Sequence, residues 1–202
     1  QGCNLIVTVG FALSAATLTA AEANPDVEFA LIDDAADGDF DGTPDFENTK
    51  PIVFNTAQAA FLVGYAAASY SKSGIVAPWG GMNFPTVTIF MDGFAQGVAY
   101  YNSENGTAVQ VLGYDPASPD TATFTGGFEA NDVAKSTAQN FIDQGADILL
   151  PVGGPIYQSA VAAITDSGKD IALIGVDADL FETDPSTQDI IFTSILKGIK
   201  SA

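Results

Sequence analysis

The chain has 202 residues, with six Lys and Arg against 25 Asp and Glu, so its formal net charge is −19. Such a field repels phosphate backbones and anionic lipid headgroups and excludes nucleic acid as a main partner. With 47% hydrophobic and 15% charged residues the chain is core-forming, and with no His it has no Ser–His–Asp triad and few routes to a zinc or iron site.

Leu5–Val9 (LIVTV) reads as a buried strand that Gly10 turns into a helix over about Phe11–Ala23. Leu5–Ala21 imitates a signal peptide, but it has no basic flank and four hydroxyl residues dilute it. Asn24-Pro25-Asp26 then ends it as a helix ends, so a strand and a helix are expected here and no targeting signal. Cys3, the single cysteine, allows no intrachain disulfide and is expected in a core. Phe29–Ile32 is the next strand, and Ala35–Lys50 is an acidic loop with Gly and Pro. Pro51–Phe54 is extended, and Thr56 is placed to cap a helix over Ala57–Ser71. Ile75–Pro78 is a strand running into Trp79-Gly80-Gly81. A helix over about Pro85–Tyr101 carries Phe90, Phe94, Val98 and Tyr101 on one face. After a strand at Ala108–Gly113 comes a long loop, Tyr114–Gly127. A helix at Asn131–Gln144, a strand at Ile148–Leu150 ending in Gly153-Gly154, a helix at Ile156–Ser167 and a strand at Ile171–Val176 come next. Ile190–Ser194 is the last strand.

Strands alternating with helices of 10–15 residues predict an α/β fold of right-handed βαβ units on a parallel sheet. Gly10, Gly80-Gly81 and Gly153-Gly154 all fall at carboxyl ends of strands, where open α/β sheets bind ligands; tight βα turns also explain each of them singly. No G-x-G-x-x-G, no G-x-x-x-x-G-K-[ST] and no G-x-S-x-G is present, so dinucleotide, nucleoside triphosphate and α/β-hydrolase readings have no motif.

Within the acidic loop, Asp37, Asp39 and Asp41 followed by Gly42 repeat the D-x-D-x-D-G spacing of a calcium loop. Thr43 is placed to offer its carbonyl, Asp45 stands at the ninth position and Asn48 at the twelfth, where a bidentate Glu is usual. Two readings stand: a structural Ca²⁺ of weak affinity, or a solvated acidic loop. No other cofactor is required.

Five ordered blocks carry a resemblance. They are Val9–Asp34 (VGFALSAATLTAAEANPDVEFALIDD), Phe54–Pro85 with the following Phe90, Gly93, Phe94 and Gly97, Gly126–Gly154 (GGFEANDVAKSTAQNFIDQGADILLPVGG), Ile174–Asp179 (IGVDAD) and Thr193–Lys197 (TSILK). Together they resemble the basic membrane protein family, purine nucleoside receptors that serve ABC transporters as substrate-binding lipoproteins. The resemblance implies a type I periplasmic-binding-protein fold, two Rossmann-like parallel-sheet lobes with the ligand held between them. It also implies that the first lobe is incomplete here, with residues 1–54 in that lobe, 55–192 in the second and 193–202 starting a return crossover. It further implies an extracytoplasmic protein, lipid-anchored at full length although signal and lipobox are absent from this chain, with an ABC permease as partner; oligomeric state is left open.

By the same resemblance Phe128 is the aromatic that packs on the nucleoside base, Asp177 the acid that accepts from the ribose hydroxyls, with Asp179 competing for that role, and Lys197 a base that reaches the sugar. Gly154 lets the ligand approach the backbone, and Gly10, Phe11 and Gly81 line the same crevice. The chain is thus expected to bind and not to catalyse. Three alternatives remain: the sensing domain of a regulator; a nucleoside hydrolase or glycosidase using carboxylates alone, which needs a second acid beside Asp177; and a calcium-stabilised surface protein, which Ca²⁺ but no nucleoside would stabilise.

Overall fold

Among the described residues all six strand pairings are parallel, as the strand–helix alternation requires. The computed structural model describes residues 2–199 and 202. The chain divides into two units, Gln1–Asn55 with Gly198–Ala202, and Thr56–Lys197.

The smaller unit holds strands β1 (Leu5–Val9), β2 (Glu28–Ile32) and β3 (Thr49–Ile52) in the order β1-β2-β3, with helix α1 (Ser14–Ala23) after a 3₁₀ turn at Phe11–Leu13. Its core is small: Leu18, Leu31 and Ala36, with Phe46 against them. The apolar run of β1 was expected to be buried, but four of its five residues are exposed, because β1 is the edge strand and the core forms around β2. Cys3, also expected inside, is exposed just ahead of it. β3 starts two residues earlier than the sequence suggested, since Thr49 and Lys50 pair with Phe29 and Ala30.

The larger unit is a five-stranded sheet of order β5-β4-β6-β7-β8: β4 (Ile75–Gly80), β5 (Gln110–Val111), β6 (Ile148–Val152), β7 (Ala172–Asp177) and β8 (Ile191–Leu196). Alternate side chains of a strand point to opposite faces, which sorts the core into two layers. Val76, Ile148, Leu150, Val152 and Ile174 meet helices α2 (Thr56–Tyr70) and α3 (Pro85–Asn105) on one face. Ala77, Trp79, Leu149 and Leu173 meet α4 (Asp132–Asp143) and α5 (Ile156–Ser167) on the other. α2 and α3 approach closely through glycines: a methyl on Gly97 would sit 2.1 Å from the Phe61 carbonyl oxygen.

α3 runs one turn beyond the expected Tyr101. Ser103 and Asn105 bond back to the helix carbonyls of Tyr100 and Tyr101, and Gly106 ends it in the left-handed conformation. β8 extends to Leu196, so Thr193–Leu196 complete this sheet rather than opening a crossover, and the division between units falls after Lys197. A short helix that the sequence did not reveal, α6 (Leu180–Thr183), succeeds β7.

Candidate functional site

Strands β4, β6, β7 and β8 lie side by side, so the residues just past their ends gather on one carboxyl edge of the larger unit. In strand order these are Gly81, Gly153-Gly154, Asp177 (the last residue of β7 itself) and Lys197.

Phe128 reaches this edge on a loop bound to the end of β4. The Gly80 amide donates to the Thr123 carbonyl, the Thr125 amide to that of Gly80, and the Gly126 and Gly127 amides to that of Gly81. Phe124 bridges to Gly80 as a short parallel extension of the sheet. Held this way, the half-buried Phe128 ring comes down against the backbone at Gly81 and Gly153, with the ring of Phe84, the residue capping α3, near-parallel at 6.3 Å.

Asp177 ends β7 with φ +67, a left-handed conformation that only Asn, Asp and Gly adopt readily. The Lys197 amide donates to the Asp177 carbonyl at 3.0 Å, which brings the two side chains together. Lys197 Nζ lies 3.3 Å from Asp177 Oδ1, an ion pair without the alignment of a formed hydrogen bond, and 4.9 Å from the centre of the Phe90 ring. The lysine side chain is 4% exposed and that of the aspartate 39%. The buried ammonium thus lies against the Asp177 carboxylate and the face of Phe90, while the aspartate side chain is partly open to solvent. Asp177 and the Phe128 seat stand at the carboxyl ends of neighbouring strands, β7 and β6, which pair at their opposite ends through Ile148 with Ala172 and Leu149 with Leu173.

Asp179 does a different job from the one suggested for it. It caps α6, its Oδ1 accepting from the Phe181 amide at 3.1 Å and from the Ser194 hydroxyl at 3.4 Å. Gly154 is exposed, with no atom near the position of an added methyl. Gly10 and Phe11 belong to the smaller unit, at the carboxyl end of β1, where the Gly10 amide donates to Ile32. Sequence reasoning placed Gly153 at this edge but not its contact with Phe128, and missed Phe84 and Phe90 as parts of the edge. Phe90 was visible only as one of several core residues at helical spacing.

In the acidic loop the carboxylates of Asp37, Asp39 and Asp45 come within 4.8 Å of one another. Asp41, expected beside them, turns to the Thr43 hydroxyl and amide, and these bonds hold its pKa below the ordinary carboxylate value. Asn48 also leaves the expected set: its Nδ2 donates to the carbonyls of Ala21, Asn24 and Val27 and so closes the end of α1. The Thr43 amide and hydroxyl both engage Asp41.

At the opposite edge of the larger unit a cavity of about 140 Å³ lies among Tyr70, Lys72, Asp147, Lys169 and Asp170. Lys169 there donates to the Ile142 carbonyl at 3.2 Å. The Lys72 ammonium pairs with Asp170 at 2.9 Å, and Asp147 accepts from the Ser71 hydroxyl and the Lys72 and Ser73 backbone amides.

The chain is 28% identical over 202 residues to basic membrane protein B of Borreliella burgdorferi, covering all of this chain and 54% of that protein. It is 31% identical over 198 residues to basic membrane protein D of the same species, covering 98% of this chain and 52% of that one. It thus spans about half the length of these curated relatives. Among solved structures it resembles an ABC transporter solute-binding protein of Aeropyrum pernix K1, with TM-score 0.76, 27% identity, and coverage of 98% and 52% of the two chains. A transcriptional activator of the comK gene from Bacillus halodurans shares the fold, with TM-score 0.70 at 23% identity and coverage of 99% and 60%. These are type I periplasmic-binding-protein-like folds, and the relatives that share the family are substrate-binding proteins and not enzymes. Residues 1–202 match the family of PnrA-like ABC transporter substrate-binding proteins from end to end, and the chain belongs to it.

Proposed function

We propose that this chain is part of an extracytoplasmic solute receptor that delivers a purine nucleoside to an ABC permease, anchored at full length by lipid. Among the described residues no helix is long and apolar enough to cross a membrane. The observation that carries the reading is the pairing, on one sheet edge, of a fixed aromatic face at Phe128 with the half-open carboxylate of Asp177. A nucleoside presents a flat base and a vicinal diol; the first stacks on Phe128 and the second donates to Asp177, whose charge Lys197 holds in place. For the acidic loop we propose a structural Ca²⁺ on Asp37, Asp39 and Asp45, the three carboxylates that converge.

The hydrolase alternative needs paired acids. The charged group paired with Asp177 is Lys197, and Asp179 is engaged in capping α6, so the arrangement supports binding over bond cleavage. The regulator alternative gains only a shared fold. Titration calorimetry with inosine, adenosine and guanosine tests the proposal. Phe128→Ala is expected to weaken inosine binding by about tenfold to a hundredfold, the range of base stacking on an aromatic side chain, and no free base is expected to form. Release of hypoxanthine, or equal binding by wild type and Phe128→Ala, overturns it.

A further inference from the structure

The Phe128 ring is set edge-on against two strand ends. A methyl group on Gly81 would lie 2.4 Å from Cδ1 and 2.5 Å from Cε1 of that ring, and one on Gly153 would lie 2.6 Å and 2.9 Å from the same two atoms. Carbon atoms in contact keep about 3.5–4.0 Å, so either methyl would drive the ring about 1 Å from its seat. Four backbone hydrogen bonds already hold the loop against Gly80 and Gly81, which leaves it little freedom to yield. The ring of Phe84 lies near-parallel to that of Phe128, with the ring centres 6.3 Å apart.

We propose that Gly81 and Gly153 are specificity-determining residues: by lacking side chains they set the height and tilt of Phe128, so that the edge selects flat ring systems by a plate built in advance. This rests on the assignment of Phe128 as the stacking aromatic. Gly153 has φ +145 and an alanine there is strained in its own right, whereas Gly81 has no such conformation, so Gly81→Ala is the informative change.

The test is a double-mutant cycle in the 202-residue protein, combining Gly81→Ala with Phe128→Ala and read without ligand by thermal unfolding. Gly81→Ala is expected to lower the melting temperature by about 4–10 °C in the wild-type background and by clearly less where the ring is absent, the remainder coming from the Gly127 carbonyl oxygen, 2.8 Å from the added methyl. Gly81→Ala should also weaken inosine binding by about tenfold or more and narrow the preference for inosine over uridine. An equal melting loss in both backgrounds overturns the seat. Retention of inosine affinity by Gly81→Ala, when Phe128→Ala loses it, overturns the specificity claim alone. Equal inosine affinity in wild type and Phe128→Ala overturns the stacking assignment and the specificity claim with it, and the melting cycle then reports on the seat by itself.

Discussion

Removing the charge of Asp177 should destabilise the larger unit far more than removing the charge of Lys197, although the two form one pair. At 3.3 Å and an effective dielectric constant of about 20, their attraction is about 5 kcal/mol before desolvation is counted. Burying the ammonium opposes this by several kcal/mol, and breaking a buried pair from one side costs about 3–5 kcal/mol. The aspartate is 39% exposed, which lets water screen the pair and places Asp177→Asn nearer 2–3 kcal/mol, about 4–12 °C in melting temperature for a chain of this size. Asn keeps the left-handed backbone at φ +67 available, so the loss reports the charge and not the turn. Lys197→Met fills the same channel over Phe90 and leaves a carboxylate that solvent can reach, and it should cost less than about 1 kcal/mol. The double variant should melt close to Lys197→Met. Thermal unfolding of the three variants checks this; a loss in Lys197→Met equal to that of Asp177→Asn, or additive losses in the double variant, refutes the reasoning.

Two further predictions concern other carboxylates. Burial on its own raises the pKa of Asp147, but hydrogen bonds from the Ser71 hydroxyl and the Ser73 and Lys72 amides outweigh it and hold the group below its ordinary value. A depressed carboxylate stabilises the fold fully above the unfolded value of about 3.9, and that contribution is lost as pH falls through the folded value. Melting temperature should therefore fall in acid below about pH 4, and Asp147→Asn should lower it at pH 7 while flattening the acid limb, as pH-resolved unfolding will show. In the acidic loop, Ca²⁺ should raise the melting temperature and Asp39→Asn should shrink that rise. Asn48→Ala should lower the metal-free melting temperature by releasing three carbonyls and keep the Ca²⁺ increment intact; loss of the increment there would put Asn48 back among the ligands.

Periodicity made the larger unit readable from its residues alone, because there the apolar pattern and the burial agree. Ile148–Val152 is buried at every position, as a central parallel strand must be, and Phe90, Phe94 and Val98 face the sheet at the spacing the sequence shows. The same pattern misled at Leu5–Val9, since an apolar run reports the capacity for burial and not whether anything covers it. Local chemistry could have settled Asp179: an Asp with Glu182 three residues on, ahead of Leu180 and Phe181, is a helix-start signature. Spacing could not have settled Asn48, because a primary amide both donates and accepts, and only the fold brings the end of α1 beneath it.

The edge itself was legible in its parts and not in its assembly. Gly81 and Gly153 lie 72 residues apart, and it is the pairing of β4 with β6 that makes them one seat for a single ring. The lysines make the point more sharply. Lys72 with Asp170 and Lys135 with Asp166 are ion pairs on open surface, where water and salt leave such contacts little stabilising effect. Lys197 is the same residue type in a chain with few cations, yet its side chain is enclosed, laid over Phe90 and aimed at the last residue of a neighbouring strand. A chain of charge −19 has solvent-exposed acids in abundance with which a lysine could pair at little desolvation cost. Burying one of its few ammonium groups against a half-open carboxylate at a strained backbone position has its physical rationale in what that carboxylate is then held ready to accept.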